Sequence, residues 1–123
     1  MAGTPILIVD DNPSNTKLLA FLLASKGYEI RTAASADEAL AVLAEWRPRL
    51  ILMDLQLPGM DGLALTRQLK ADPATKDIAI VAATAYAMKG DEERALAAGC
   101  NGYLTKPIDT RRLPIDIERF LAS

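Results

Sequence analysis

The stretch Ile6-Leu7-Ile8-Val9-Asp10-Asp11 carries an unbroken apolar run onto two carboxylates, and Leu50-Ile51-Leu52-Met53-Asp54 repeats the arrangement with one. Short continuous runs of branched apolar residues suit parallel strands covered on both faces. A strand buried that way does not normally finish on acid, so these three carboxylates mark strand ends that do something besides pack. Ile78 to Ala83 is a third run of the same kind, and the three are expected at the centre of a sheet. Tyr28-Glu29-Ile30-Arg31-Thr32 alternates in polarity and fits an edge strand. Gly102-Tyr103-Leu104-Thr105 is short, bounded by glycine and the Lys106-Pro107 pair, and is also expected outside the central three.

Amphipathic stretches fill the gaps between these runs. Asn12 is placed to cap a helix with Pro13 in its first position, and Ser35 with Glu38 forms a capping box. Leu18, Leu19, Leu22 and Leu23 make one apolar face, and Ala36, Ala39, Leu40 and Leu43 another, both expected to pack on the sheet. Further helices are expected from about Gly62 to Lys70, Met88 to Ala98 and Arg111 to Leu121, with Asp61 as a cap and Gly99 as a stop. Gly90 lowers helix propensity by about 1 kcal/mol relative to alanine and weakens the start of the fourth helix. Pro114 lacks an amide donor, which moves the start of the fifth toward Leu113. Crossovers between parallel strands are right-handed, so the alternation predicts an α/β fold: a doubly wound five-stranded parallel sheet, flavodoxin-like (βα)5, in the order 2-1-3-4-5.

With 123 residues and 50% hydrophobic content, the chain suits one domain with one core, spanning residues 1–123. Sixteen acidic and 14 basic residues give a net charge of -2. No basic stretch could neutralise a phosphate backbone, so nucleic acid is not an expected partner. No apolar run approaches the roughly 20 residues that cross a bilayer. Met1 to Pro5 has neither the basic segment nor the apolar core of a signal peptide, and a cytoplasmic protein is expected. Cys100 is the single cysteine and histidine is absent, so any metal must be held by oxygen. Cys100, Met53, Met60 and Met88 read as packing residues.

In the 2-1-3-4-5 order the first and third strands are neighbours, and the crevice beyond their carboxyl ends gathers Asp10, Asp11 and Asp54. The same edge receives Thr84 from strand four and Lys106 from strand five. Three clustered carboxylates repel unless a cation or proton intervenes. Magnesium suits such a site, because it takes oxygen ligands from one or two carboxylates plus substrate phosphate. One acid is then left to attack phosphorus, with Thr84 offering a hydroxyl and Lys106 a point charge. The set reads as a phosphoryl-accepting site.

These residues, Val9-Asp10-Asp11, Met53-Asp54-Leu55-Gln56-Leu57-Pro58-Gly59-Met60-Asp61-Gly62, Ala83-Thr84-Ala85 and Lys106-Pro107, resemble the signature of response-regulator receiver domains along the whole chain. The segment from Ala85 to Arg94 and the following Gly99-Cys100 are similar to single-domain DivK-type regulators. The resemblance implies that Asp54 accepts a phosphoryl group from a phosphohistidine on a histidine kinase or histidine phosphotransfer protein. It implies that Asp11, Asp54 and the backbone carbonyl of Gln56 ligate magnesium, with Asp10 acting through metal-bound water. Thr84 and Tyr103 become switch residues, Lys106 pairs with the phosphate through a cis Lys-Pro bond, and Gln56 and Tyr86 tune dephosphorylation. The donor is placed against the first helix near Asn15 and Leu18 and the loop after Lys106. The output is a downstream protein reading helix four, strand five and helix five, from a monomer or a phosphorylation-dependent dimer. Such a protein is no enzyme beyond slow autodephosphorylation.

Two other classes share parts of this pattern. A magnesium-dependent phosphohydrolase of the haloacid-dehalogenase type carries a second acid two residues after its nucleophile, where this chain has Gln56. A flavodoxin-like cofactor module would need a first loop that welcomes phosphate, and Asp10-Asp11 repel it. A receiver domain cut from a hybrid histidine kinase or larger regulator is the nearest alternative to a stand-alone protein.

Overall fold

The computed structural model describes residues 3–55, 62–84, 90–106 and 108–122. Along these run β1 (Pro5–Val9), α1 (Pro13–Ala24), β2 (Glu29–Ala33), α2 (Ala36–Glu45), β3 (Leu50–Asp54), α3 (Gly62–Ala71), β4 (Ala79–Thr84), α4 (Asp91–Ala97), β5 (Gly102–Thr105) and α5 (Leu113–Ala122). The strands pair in parallel in the order β2-β1-β3-β4-β5, which is the doubly wound, flavodoxin-like sheet that the apolar runs predict.

Successive side chains of a strand point to opposite faces, and the central strands use both. Leu7, Val9, Ile51, Met53, Ile80 and Ala82 pack against Ala39 and Leu43 of α2, Leu65 and Leu69 of α3 and Ala95 of α4. Ile6, Ile8, Leu50, Leu52 and Val81 pack against Leu19 and Leu23 of α1 and Leu113 and Ile117 of α5. Each Leu or Ile so enclosed contributes about 1.5–3 kcal/mol relative to an exposed side chain. This two-sided burial makes the central strands continuous in hydrophobicity. β2, with Glu29, Arg31 and Thr32 exposed and only Ala33 buried, faces solvent as an edge strand does.

The helix starts follow their sequence signals closely. Asn12 Oδ1 accepts from the Ser14 and Asn15 amides at 2.9 and 3.2 Å, and Pro13 occupies the first helical position, where its missing donor costs nothing. Ser35 Oγ accepts from the Glu38 amide at 3.1 Å, while the Glu38 carboxylate reaches back to the Ala34 amide at 3.1 Å. One expectation for α1 fails: Leu19 and Leu23 are buried, but Leu18 is 54% exposed, beside Phe21 at 77%. Leu18 lies on the flank of the helix that turns away from the sheet, so only part of the leucine face packs.

Two glycines resolve the fourth helix. Gly90 adopts φ 91°, a left-handed conformation open to glycine at little strain, and stands before α4 as its N-cap, so its low propensity falls outside the helix. Gly99, at φ 111°, ends the segment after Ala98. The expected start at Met88 and the expected Asp61 cap lie outside the described residues. α5 starts at Leu113 rather than Arg111, and Pro114 sits in its first turn, where no intrahelical amide bond is lost.

Candidate functional site

The carboxyl edge of the sheet is built by ladders that continue past the strand ends. The Asp10 amide donates to Ala33 O at 3.0 Å, Leu55 N to Ala83 O at 3.0 Å and Lys106 N to Thr84 O at 2.7 Å. Parallel register sets Asp54 opposite Ala83 and Thr84 opposite Thr105, so residues distant in sequence end level with one another. Gly62 closes the corner from below: a Cβ at this position would stand 2.7 Å from the Asp54 carbonyl oxygen and 2.7 Å from Leu55 Cα. Only glycine lets α3 begin so close to the end of β3.

Asp10, Asp11 and Asp54 each present an oxygen, and the three lie within 4.8 Å of one another. Asp10 and Asp54 are buried, at 5% and 4% exposure, while Asp11 faces solvent. Lys106 Nζ lies 3.1 Å from Asp10 Oδ2 and 3.1 Å from Asp54 Oδ2, bridging the two buried acids. The second Asp10 oxygen accepts from the Asn12 amide at 2.9 Å, which orients it at the head of α1. Burial lowers the Lys106 ammonium, but hydrogen bonds to Asp10 and Asp54 outweigh it and hold the group above the usual lysine value of 10.5. The lysine is therefore a fixed cation. An all-oxygen donor set with two buried carboxylates and one exposed fits a hard divalent ion that keeps part of its water, and fits magnesium in particular.

The sequence-predicted residues thus converge: Asp10, Asp11, Asp54 and Lys106 share one cluster, and Thr84, 3% exposed, ends the neighbouring strand. Tyr103 is half-buried on β5, packed against the core shared with α2, α3 and α4, with its hydroxyl enclosed. Gln56, Tyr86 and Pro107 lie outside the described residues. A second polar centre escaped the sequence reading. Lys70 Nζ donates to Ile78 O at 2.7 Å, Asn101 Oδ1 at 2.9 Å and Lys76 O at 3.2 Å, and the same Asn101 oxygen accepts from Ile80 N at 2.9 Å. It ties α3 to the loop before β5 at the opposite end of the sheet, and no motif announces it.

A parallel sheet with this acidic edge, its lysine and its threonine defines the phosphoacceptor class of signalling domains, and the chain belongs to the response regulator receiver domain family, whose model matches residues 6–118. Among relatives, it is 45% identical over 116 residues to the polar-differentiation response regulator DivK of Brucella anthropi, covering 94% of each chain. Among solved structures it resembles a putative response regulator from Chloroflexus aurantiacus, with TM-score 0.92 and 34% identity over 98% of this chain and 99% of that one. It also resembles the receiver domain of the sensor histidine kinase PA1611 of Pseudomonas aeruginosa, with TM-score 0.88 and 38% identity over 99% and 100%. That structure holds a magnesium ion coordinated in the active-site cleft.

Proposed function

We propose that residues 1–123 form a phosphoacceptor switch of a two-component or phosphorelay system, acting in the cytoplasm, with Asp54 as the residue phosphorylated. The observation that carries this reading is the Lys106 ammonium at 3.1 Å from both buried carboxylates, with Asp11 completing a three-oxygen cluster. A structural ion pair would need one acid. Three acids with one lysine leave an uncompensated charge that favours a divalent cation.

In the proposed reaction an Asp54 oxygen attacks the phosphorus of a phosphohistidine on a histidine kinase or histidine phosphotransfer protein. The P–N bond breaks, its electron pair returns to the imidazole, and the ring nitrogen takes a proton from solvent. Asp11, Asp54 and the backbone carbonyl of Gln56 are the proposed magnesium ligands, and Asp10 would act on the ion through its bound water. Bound there, the ion supplies Lewis-acid charge to the transferring oxygens. Lys106 is already held partly buried beside Asp54 and pairs with the incoming phosphoryl oxygens at little reorganisation cost. Thr84 donates its hydroxyl to the same group, and its motion couples to Tyr103 on β5. Gln56 and Tyr86 set the lifetime of the acyl phosphate, whose slow hydrolysis is the chain's own turnover.

The donor docks on the flank of α1, where Leu18 and Phe21 are exposed. The output surface is α4, β5 and α5, where Leu96 at 50% and Ile115 at 63% exposure offer apolar contacts to a downstream protein or to a second copy after phosphorylation. The test is to phosphorylate the protein with phosphoramidate and magnesium, reduce the acyl phosphate with borohydride and map the altered residue by peptide mass spectrometry. Modification at Asp54 alone supports the assignment; modification elsewhere, or none, overturns it.

A further inference from the structure

An edge strand is bonded on one side, so its place in the sheet depends heavily on how its two ends are held. β5 is short, ends the sheet beside β4, and delivers Lys106 one residue past its last position. At that end the Lys106 amide donates to Thr84 O at 2.7 Å. At the other end Asn101 is held three ways. Its amide donates to Ile80 O at 2.6 Å, and its side-chain oxygen accepts from Ile80 N at 2.9 Å and from Lys70 Nζ at 2.9 Å. Lys70 Nζ donates further to Ile78 O at 2.7 Å and Lys76 O at 3.2 Å. Three acceptors use three protons, and only the ammonium form has three to give. None of these acceptors is a carboxylate, so oxygen dipoles hold the cation there. Gly99 leaves it room: at φ 111°, a Cβ on this residue would stand 2.7 Å from Lys70 Cγ. The helix that carries Lys70 begins at the phosphoacceptor corner, where the Gly62 amide donates to Leu55 O at 3.2 Å. Ten helical residues span about 15 Å, enough to join that corner to the root of β5.

We infer that Lys70 is a positioning residue for the phosphoacceptor site: its ammonium fastens the root of β5 to α3 and β4, and the strand in turn holds Lys106 beside Asp54. The inference rests on Asp54 as phosphoacceptor and adds a residue at the opposite edge of the sheet on which its reactivity depends. Without the ammonium, Asn101 keeps its two bonds to Ile80 but loses its link to the helix that starts under Asp54. β5 is then free to shift on β4, and Lys106 shifts with it. A small displacement of a charge that must meet the transferring oxygens slows transfer even though every reacting group is still present.

The experiment uses Lys70→Met, which keeps the bulk of the side chain and removes its charge and donors. Amide hydrogen exchange is followed at Asn101, at Lys106, and at Leu55, whose amide donates to Ala83 O on the other side of β4. Exchange is expected to be about tenfold faster at both Asn101 and Lys106 and unchanged at Leu55. Phosphorylation of Asp54 by acetyl phosphate with magnesium, read by intact mass, is expected to slow by about tenfold. In Lys70→Ala, added propylammonium is expected to restore slow exchange at both β5 amides and the phosphorylation rate. Tetramethylammonium, which has no N–H to donate, is not. Faster exchange at Asn101 alone, an equal rise at all three amides, an unaltered phosphorylation rate, or no rescue by propylammonium would each overturn the positioning role while Asp54 stands as phosphoacceptor. If the unaltered chain takes no phosphoryl group, the reading of Asp54 falls and the positioning role falls with it.

Discussion

Replacing a proposed metal ligand should make the metal-free protein more stable, and Asp11→Asn is the cleanest case. The three acidic oxygens lie within 4.8 Å of one another, and Lys106 reaches Asp10 and Asp54. At that separation two unit charges repel by about 0.9 kcal/mol at the dielectric constant of water and about 3.5 kcal/mol at an effective value near 20. Asp11 is exposed, so solvent screening puts it near the lower figure. It faces two carboxylates and one ammonium, a net of one uncompensated repulsion, and its neutralisation is expected to stabilise the fold by about 1 kcal/mol. In thermal unfolding with a chelator this appears as a rise of about 4 °C in a domain of this size. Added magnesium should stabilise the unaltered protein through preferential binding to the folded state and leave the variant nearly unmoved. A variant less stable than the original in chelator, or one stabilised by magnesium as strongly, would refute the reasoning.

Lys106→Met leaves two buried carboxylates without their cation and is expected to cost about 2–3 kcal/mol in chelator, read by urea unfolding. Because the folded lysine titrates above its ordinary value of 10.5, its contribution is full below that value and is lost as pH rises through the raised one. The stability difference between the two proteins should thus persist through neutral and mildly alkaline pH and shrink only in strong alkali; a difference that vanishes near neutrality would contradict the ion pair. Asn12→Ala removes the acceptor of two α1 amides and should cost about 1 kcal/mol by the same assay, an unchanged midpoint counting against the cap. Gly62→Ala forces a methyl into the backbone of Asp54 and Leu55, so both stability and the phosphorylation rate of Asp54 should drop together; loss of neither would show that the contact yields freely. Burial pushes the Cys100 thiol above its usual range, against the hydrogen bond from its sulfur to Thr66 and the charge of Lys70. A thiol reagent should label the folded chain slowly at about pH 8 and the urea-unfolded chain quickly; fast labelling of both would place Cys100 at the surface.

The sheet was legible because its strands are buried on both faces, which leaves continuous runs such as Leu50 to Met53 with no other easy reading. The acids at Asp10, Asp11 and Asp54 stood out for the same reason, since each breaks a run that packing alone would have continued. Helix starts at Asn12 and Ser35 were legible through local hydrogen bonds that need only a few neighbours. Less could be read where tertiary geometry decides. Periodicity grouped Leu18 with Leu19, yet neighbouring positions on a helix diverge by about 100°, and only the packed structure shows that Leu19 is buried while Leu18 is half exposed. Gly90 carried a propensity cost in sequence and a left-handed cap in structure, because its conformation depends on where the helix begins. Lys106 bonds Asp10 across 96 positions, a pairing that strand order predicts only once all five strands are placed. The Lys70–Asn101 tie at the other end of the sheet joins two ordinary polar residues with no spacing to betray them.

The central claim is that Asp54 is a magnesium-dependent phosphoacceptor, and intact mass measured after incubation with acetyl phosphate tests it most directly. The account predicts the mass of one added phosphoryl group with magnesium, none with chelator, and none in Asp54→Asn under either condition. An unchanged mass with magnesium, or the same gain in Asp54→Asn, would contradict it.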